Sequence, residues 1–131
     1  MAANDFRVVQ AGRVIELTAN GSTAINVGEM VTLASNVITI TGNNQAPIGM
    51  ALTDIAINGV GPVMIEGIFE GTADGTDFAM GQEVYMEPSG VLGDGAAGEV
   101  SIGRVVNTNP AASGLVQFWL HSSLNTLVTH S

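Results

Sequence analysis

The residues of this chain whose types and spacing could do chemistry are few. Asp74-Gly-Thr-Asp77, with Glu70 nearby, gathers carboxylates as a calcium loop would. It lacks the alternating ligands and closing bidentate glutamate of an EF-hand, so it reads as an acidic solvated turn, and Asp94 and Glu99 as loop charges. Gly93-Asp-Gly95-Ala-Ala-Gly98 spells the letters of the dinucleotide fingerprint. That fingerprint needs a helix behind it to receive a pyrophosphate, and the next segment, Val100-Ser-Ile-Gly-Arg-Val, is strand-like. The segment is a glycine-rich hairpin loop. Glu66 and Glu70, four apart, have the residue types of a glycosidase pair, but they alternate with apolar residues and read as the polar side of a half-buried sheet. His121 and His130 are too few for a metal centre, and no HxxxH or HExxH spacing exists. Cysteine and lysine are absent, and no serine sits in a GxSxG elbow. Asn20-Gly-Ser22 is a formal glycosylation sequon that, without a secretion signal, means a turn. The reading is a chain with no catalytic residue, no metal site and no cofactor.

The elements around these residues are strands. Val14-Ile-Glu-Leu-Thr18, Met30-Val-Thr-Leu33 and Val37-Ile-Thr-Ile-Thr41 alternate apolar and polar positions and are rich in β-branched residues. Ala34-Ser-Asn36 is a polar break suited to a hairpin. Val63 to Glu70 reads as one longer strand, bent at Gly67. Glu83 to Glu87 enters the turn Pro88-Ser-Gly90, and Val100 to Val106 and Leu115 to Leu120 complete the set. Helix signals amount to single turns at 76–80 and 123–127, because glycines and β-branched residues interrupt every longer window.

These strands come in two sets. Gly28-Glu-Met-Val31-Thr-Leu33 returns as Gly81-Gln-Glu-Val84-Tyr-Met86, Ile48-Gly-Met-Ala51 as Ile102-Gly-Arg-Val105, and Gly61-Pro-Val63 as Gly114-Leu-Val116. The offset is about 53 residues, and two copies suit a compact fold better than a solenoid. The expected architecture is all-β: a compact barrel or sandwich of short antiparallel strands built from two repeats. The expected layout is one domain over 1–131, with an N-terminal arm at 1–12, repeat one at 24–71, repeat two at 77–120 and a C-terminal extension at 121–131. Residues 71–75 form a loop too short to separate the repeats into independent domains. Met1 to Asp5 is polar and flexible, while Phe6-Arg7-Val8-Val9 is an extended patch able to pair with a sheet edge, its own or a neighbour's. Phe118 and Trp119 are adjacent on one strand and must face opposite ways, so one of them packs outside the core.

Composition narrows the partners. Charged residues are 11% of the 131, well below the usual share of about 25%. So few charges suit a subunit whose surface is covered by partners. Arg7, Arg13 and Arg104 are the only cations against twelve carboxylates, for a net charge of −9. Three cations cannot make the roughly 6–10 phosphate contacts of a nucleic-acid binder. An acidic membrane surface is an equally poor partner. No secretion signal and no apolar run near the roughly 18 residues of a membrane span are present, so a soluble protein made in the cytoplasm is expected.

With these blocks in place, the chain resembles the capsid cement, or head decoration, proteins of tailed bacteriophages. The resemblance begins at Phe6-Arg-Val-Val-Gln10-Ala-Gly12-Arg-Val14-Ile15-Glu-Leu-Thr18-Ala19. It continues through Gly28-Glu-Met-Val31, Ile48-Gly-Met-Ala51, Ile65-Glu-Gly67-Ile-Phe69-Glu, Gly81-Gln-Glu-Val84-Tyr85 and Ile102-Gly-Arg-Val105, and ends near Leu120. Met86 stands where an aromatic is expected, and residues 121–131 run past the usual end. The resemblance implies a non-enzymatic virion protein, made in the host cytoplasm, that joins the outer surface of the expanded head. There it would clamp major capsid protein subunits, as a homotrimer. Phe6, Arg7 and Val8 in the arm, with Trp119, are the expected capsid or subunit contacts. Two other classes fit an all-β chain: a tail or fibre-associated β-module, and a carbohydrate-binding domain. The second needs clustered exposed aromatics, and one Trp and one Tyr argue against it.

Overall fold

The computed structural model describes residues 6–42, 45–87, 90–95, 100–107 and 114–121. Among them lie eleven strands and no helix. The first six are β1 (Arg7–Ala11), β2 (Val14–Thr18), β3 (Met30–Ala34), β4 (Val37–Ile40), β5 (Gly49–Ala51) and β6 (Val60–Met64). The others are β7 (Gly67–Thr72), β8 (Glu83–Met86), β9 (Leu92–Gly93), β10 (Val100–Val105) and β11 (Leu115–Leu120). They form two antiparallel sheets, sheet I in the order β2-β6-β5-β3-β4 and sheet II in the order β1-β7-β11-β10-β8-β9. The architecture is a sandwich and not a closed barrel.

Apart from β1, the two sheets share one strand order. β7-β11-β10-β8-β9 follows β2-β6-β5-β3-β4 with β7 starting 53 positions after β2, at 67 against 14. Each sheet curls until the end of β2 meets β4, and the end of β7 meets β9, through a single parallel bridge, Ala19 to Ile38 in sheet I and Ala73 to Leu92 in sheet II. The same local physics recurs in the turns. Gly28 and Gly81 both hold positive φ, 91° and 87°, which a side chain disfavours. In each turn the residue after the glycine folds its side chain back onto the backbone: Asn26 N donates to Glu29 Oε1 at 2.7 Å, and Ala79 N to Gln82 Oε1 at 3.0 Å. Gly49 and Gly103 answer a second constraint, since a Cβ there would run into the carbonyl oxygen of Met64 or Trp119 on the neighbouring strand.

Around β5, sheet I is buried on both faces. Val31, Ala51 and Val63 point into a core closed by Ile25, Ile38 and Ile48. Their strand neighbours Met30, Met50 and Met64 point the other way, as alternation requires, into a second core with Phe69, Val84, Val116 and Phe118 of sheet II. Those methionines are direct cross-strand partners, Met30 with Met50 and Met50 with Met64. One unbranched, adaptable row therefore cements sheet to sheet.

The segment 63–70 is divided where one bent strand is expected. β6 ends in sheet I at Met64 and β7 begins in sheet II at Gly67, whose φ is +144°. The chain changes sheets there, alongside the opposite crossing between β1 and β2, and Ile65 N donates to Arg13 O at 2.9 Å. The predicted Ala34-Ser-Asn36 hairpin is present, with Ser35 and Asn36 both at positive φ as a type I′ turn demands. No helical turn forms at 76–80; the predicted turn at 123–127 lies outside the described residues.

Candidate interaction face

The residues with candidate chemistry resolve into turns. Asn20 Oδ1 accepts from Ser22 N at 2.8 Å and Thr23 N at 2.7 Å, so the sequon is an Asx turn. Asp74 Oδ1 does the same for Thr76, through both backbone N and hydroxyl, at the matching place after Ala73. Partial burial pushes the Asp74 carboxyl up, but hydrogen bonds from Thr76 and with Glu87 outweigh it and hold it below the ordinary aspartate value. Among the described residues no group of three or more His, Asp or Glu side chains converges as metal ligands would. The glycine-rich segment 93–98 is described only to Gly95, and Glu99 and His130 fall outside the described residues.

Aromatic and paired charged side chains collect instead on the outer face of sheet II. Phe118 is wholly buried, so alternation turns Trp119 outward, where 43% of it is exposed. Register then sets Trp119 opposite Arg104 on β10 and Ile68 on β7. Arg104 in turn lies opposite Glu83 on β8. Its guanidinium donates to Gly81 O at 2.9 Å and reaches Glu83 Oε1 at 3.4 Å. Tyr85 Oη donates to the other Glu83 oxygen at 2.9 Å. That hydrogen bond, reinforced by the Glu83 charge, holds the Tyr85 phenol above its ordinary range. A bulge between Ser101 and Gly103 brings β10 into this register.

Further along the same face, Arg7, Glu70 and Gln117 sit in line across β1, β7 and β11. Glu70 is a buried carboxylate, 5% exposed, and its partners are the Arg7 guanidinium and Gln117 Nε2 at 3.4 Å. Burial of a carboxylate requires such pairing.

The four residues expected as contacts are thus divided. Arg7 and Trp119 stand on the outer face of sheet II. Val8 is half-buried and packs on the sheet II core. Phe6 lies within that core, 3% exposed, with its backbone N donating to Gly28 O at 2.9 Å. Residues 7–11 of the expected arm are strand β1, paired to β7 of the same chain; residues 1–5 lie outside the described residues. Sequence reading did not bring Glu83, Tyr85 and Arg104 together. The spacing of Glu83 and Tyr85 on one strand signals a shared face, but their approach to Arg104 depends on strand order.

The described residues make an all-β sandwich whose sheet II turns aromatic and paired charged side chains outward. Residues 9–120 match the family described as phage cement protein. The chain belongs to that family and is a structural protein of the phage virion. No curated protein matches the chain. Among solved structures it is similar to the head fiber gp8.5 N base of bacteriophage phi29, with a TM-score of 0.53 and 16% identity over 83% of this chain and 95% of that one. At that identity the likeness is one of fold.

Proposed function

We propose that this protein attaches to the outer surface of the expanded phage head and there stabilises contacts between major capsid protein subunits, as a homotrimer and without catalytic activity. The observation that carries the reading is the family match over 9–120, which reaches from within β1 to the end of β11. The whole chain, 1–131, acts as one β-domain in this proposal, with its two repeats sharing the methionine-lined core. Low charge and a sandwich with an exposed aromatic face suit repeated weak contacts on a lattice, where avidity replaces a single strong interface. The test is co-sedimentation of the purified protein with expanded heads that lack it. Saturable binding to expanded heads and none to unexpanded shells is the expected result; absence of binding to both sinks the proposal.

A second reading has the likeness to a head fibre base behind it: the chain seats an appendage on the virion. Gold-labelled antibody on intact particles separates the two. A cement protein decorates the whole head, whereas an appendage base marks only the points where appendages emerge.

A further inference from the structure

We infer that the outer face of sheet II, centred on Trp119, is the surface through which copies of this chain meet one another. The inference rests on comparing equivalent places in the two sheets. In sheet I the row Met30, Met50, Met64 crosses β3, β5 and β6, and each residue is at most 3% exposed, packed into the sheet II core. The same row in sheet II, across β8, β10 and β11, is Glu83, Arg104, Trp119. A position buried by sheet packing in the first unit is open in the second, and the residues on it have changed from gap-filling methionines to charged and aromatic ones.

Those residue types point to a protein partner. The single Trp and single Tyr of the chain, and two of its three arginines, stand on this one face. Trp, Tyr and Arg are the residues that dominate binding energy at protein interfaces. Charge then selects the partner. The chain carries −9, so most contacts between two copies set carboxylate against carboxylate, with Glu16, Asp54, Asp77 and Asp94 all exposed elsewhere. On the outer face of sheet II each cation has its anion, Arg7 with Glu70 and Arg104 with Glu83. At the β9 edge of this face the Asp74 and Glu87 carboxylates flank Gly93. The copies therefore meet over the paired charges around Trp119, where no net like charge is brought together and the Arg104 of one copy can serve the Glu83 of the next. The occupant is a second copy of the chain. This gives a surface to the homotrimer proposed above, and it is measured without heads, so the two can fail separately.

Trp119 is the only tryptophan, which makes intrinsic fluorescence a reporter of this face alone. The experiment follows sedimentation velocity and acrylamide quenching of the full chain across a concentration series. Association should be accompanied by a blue shift of the emission and a several-fold fall in quenching. Trp119→Ala and Arg104→Glu should each move association to at least about tenfold higher concentration, with an unchanged far-ultraviolet dichroism spectrum. Val60→Ser, which alters an apolar residue of sheet I that is 65% exposed, should leave association unmoved. A chain that sediments as a monomer throughout, or an oligomer whose Trp119 stays as quenchable as the monomer's, overturns the inference. Protection of Trp119 that appears only when expanded heads are added also overturns it, assigning the face to the capsid while the cement reading stands. Association through Trp119 with no head binding leaves the inference intact and removes the cement reading.

Discussion

Phe6 meets Phe118 edge to face, with ring centroids 6.0 Å apart and planes at 80°. The first described residue is thereby fastened to the last strand. The Phe6 ring also fills the space over Gly71, where a Cβ would strike it. Phe6→Ala should cost about 3–5 kcal/mol, the range for emptying a buried aromatic site, and should loosen β1. Urea melts measure the first effect, and proteolysis at the N-terminal end the second. Truncation that tests the arm for capsid contact belongs after residue 5, because removing residues 1–9 also removes a core side chain.

The Arg7–Glu70 pair ties β1 to β7 by charge. Arg7 is largely exposed, its side chain at 65%, so screening reduces what it contributes. Glu70 is buried, and deleting Arg7 leaves its carboxylate with Gln117. Arg7→Ala should therefore destabilise by about 1–2 kcal/mol, above an exposed pair and below a fully buried one. Arg7→Ala combined with Glu70→Gln should recover part of that loss. A double-mutant cycle in urea checks both.

Gly81 isolates the backbone requirement of the repeated turn. Its φ is +87°, and nothing lies within 4 Å of where a Cβ would stand. Gly81→Ala should thus cost about 1–2 kcal/mol through conformation alone, and Gly81→Asn less, since asparagine tolerates positive φ. Thermal melts of the two variants decide it; equal losses would point to a packing cause instead.

The depressed Asp74 carboxyl makes the β7–β8 connection acid-sensitive. A carboxyl lowered in the folded state contributes stability that is fully present above its unfolded value, near 3.8, and is lost as pH falls through the folded one. Asp74→Asn should flatten the acid limb of the stability curve, and Thr76→Val should do so in part. Melting temperatures between roughly pH 2 and 5 test this.

Much of the fold is written locally. The alternation in Val37-Ile-Thr-Ile and the two-residue Ser35-Asn36 turn specify a hairpin without help from elsewhere. Gly28 and Gly81, like Gly49 and Gly103, appear in sequence because a backbone angle or a neighbouring carbonyl excludes a side chain. The shared strand order runs further back than the sequence repeat, to β2 and β7. Ala19-Asn-Gly-Ser and Ala73-Asp-Gly-Thr make the same Asx turn with different letters, so physical equivalence there outlasts identity. The break at Gly67 is visible in sequence as a bend, but a change of sheet looks locally like a bend. What sequence could not supply is pairing across distance. That β1 lies on β7, and that Arg104 reaches Glu83, depends on strand order and on one bulge. Alternation required either Phe118 or Trp119 to face outward, and only the position of the second core decides which.

The methionine row also sets an order in time. As the chain is made, sheet I and its own aliphatic core are complete once residue 65 has emerged. Strand β11 is finished 55 residues later, roughly 3–11 s at ordinary synthesis rates. During that interval Met30, Met50 and Met64 form a bare apolar strip, and Phe6 has no ring to meet. The nascent first half is then both a template for the second and a sticky surface in its own right. A message cut short before β7 yields a half-protein that cannot hide the strip, and such a product should aggregate or be degraded before it can reach a particle.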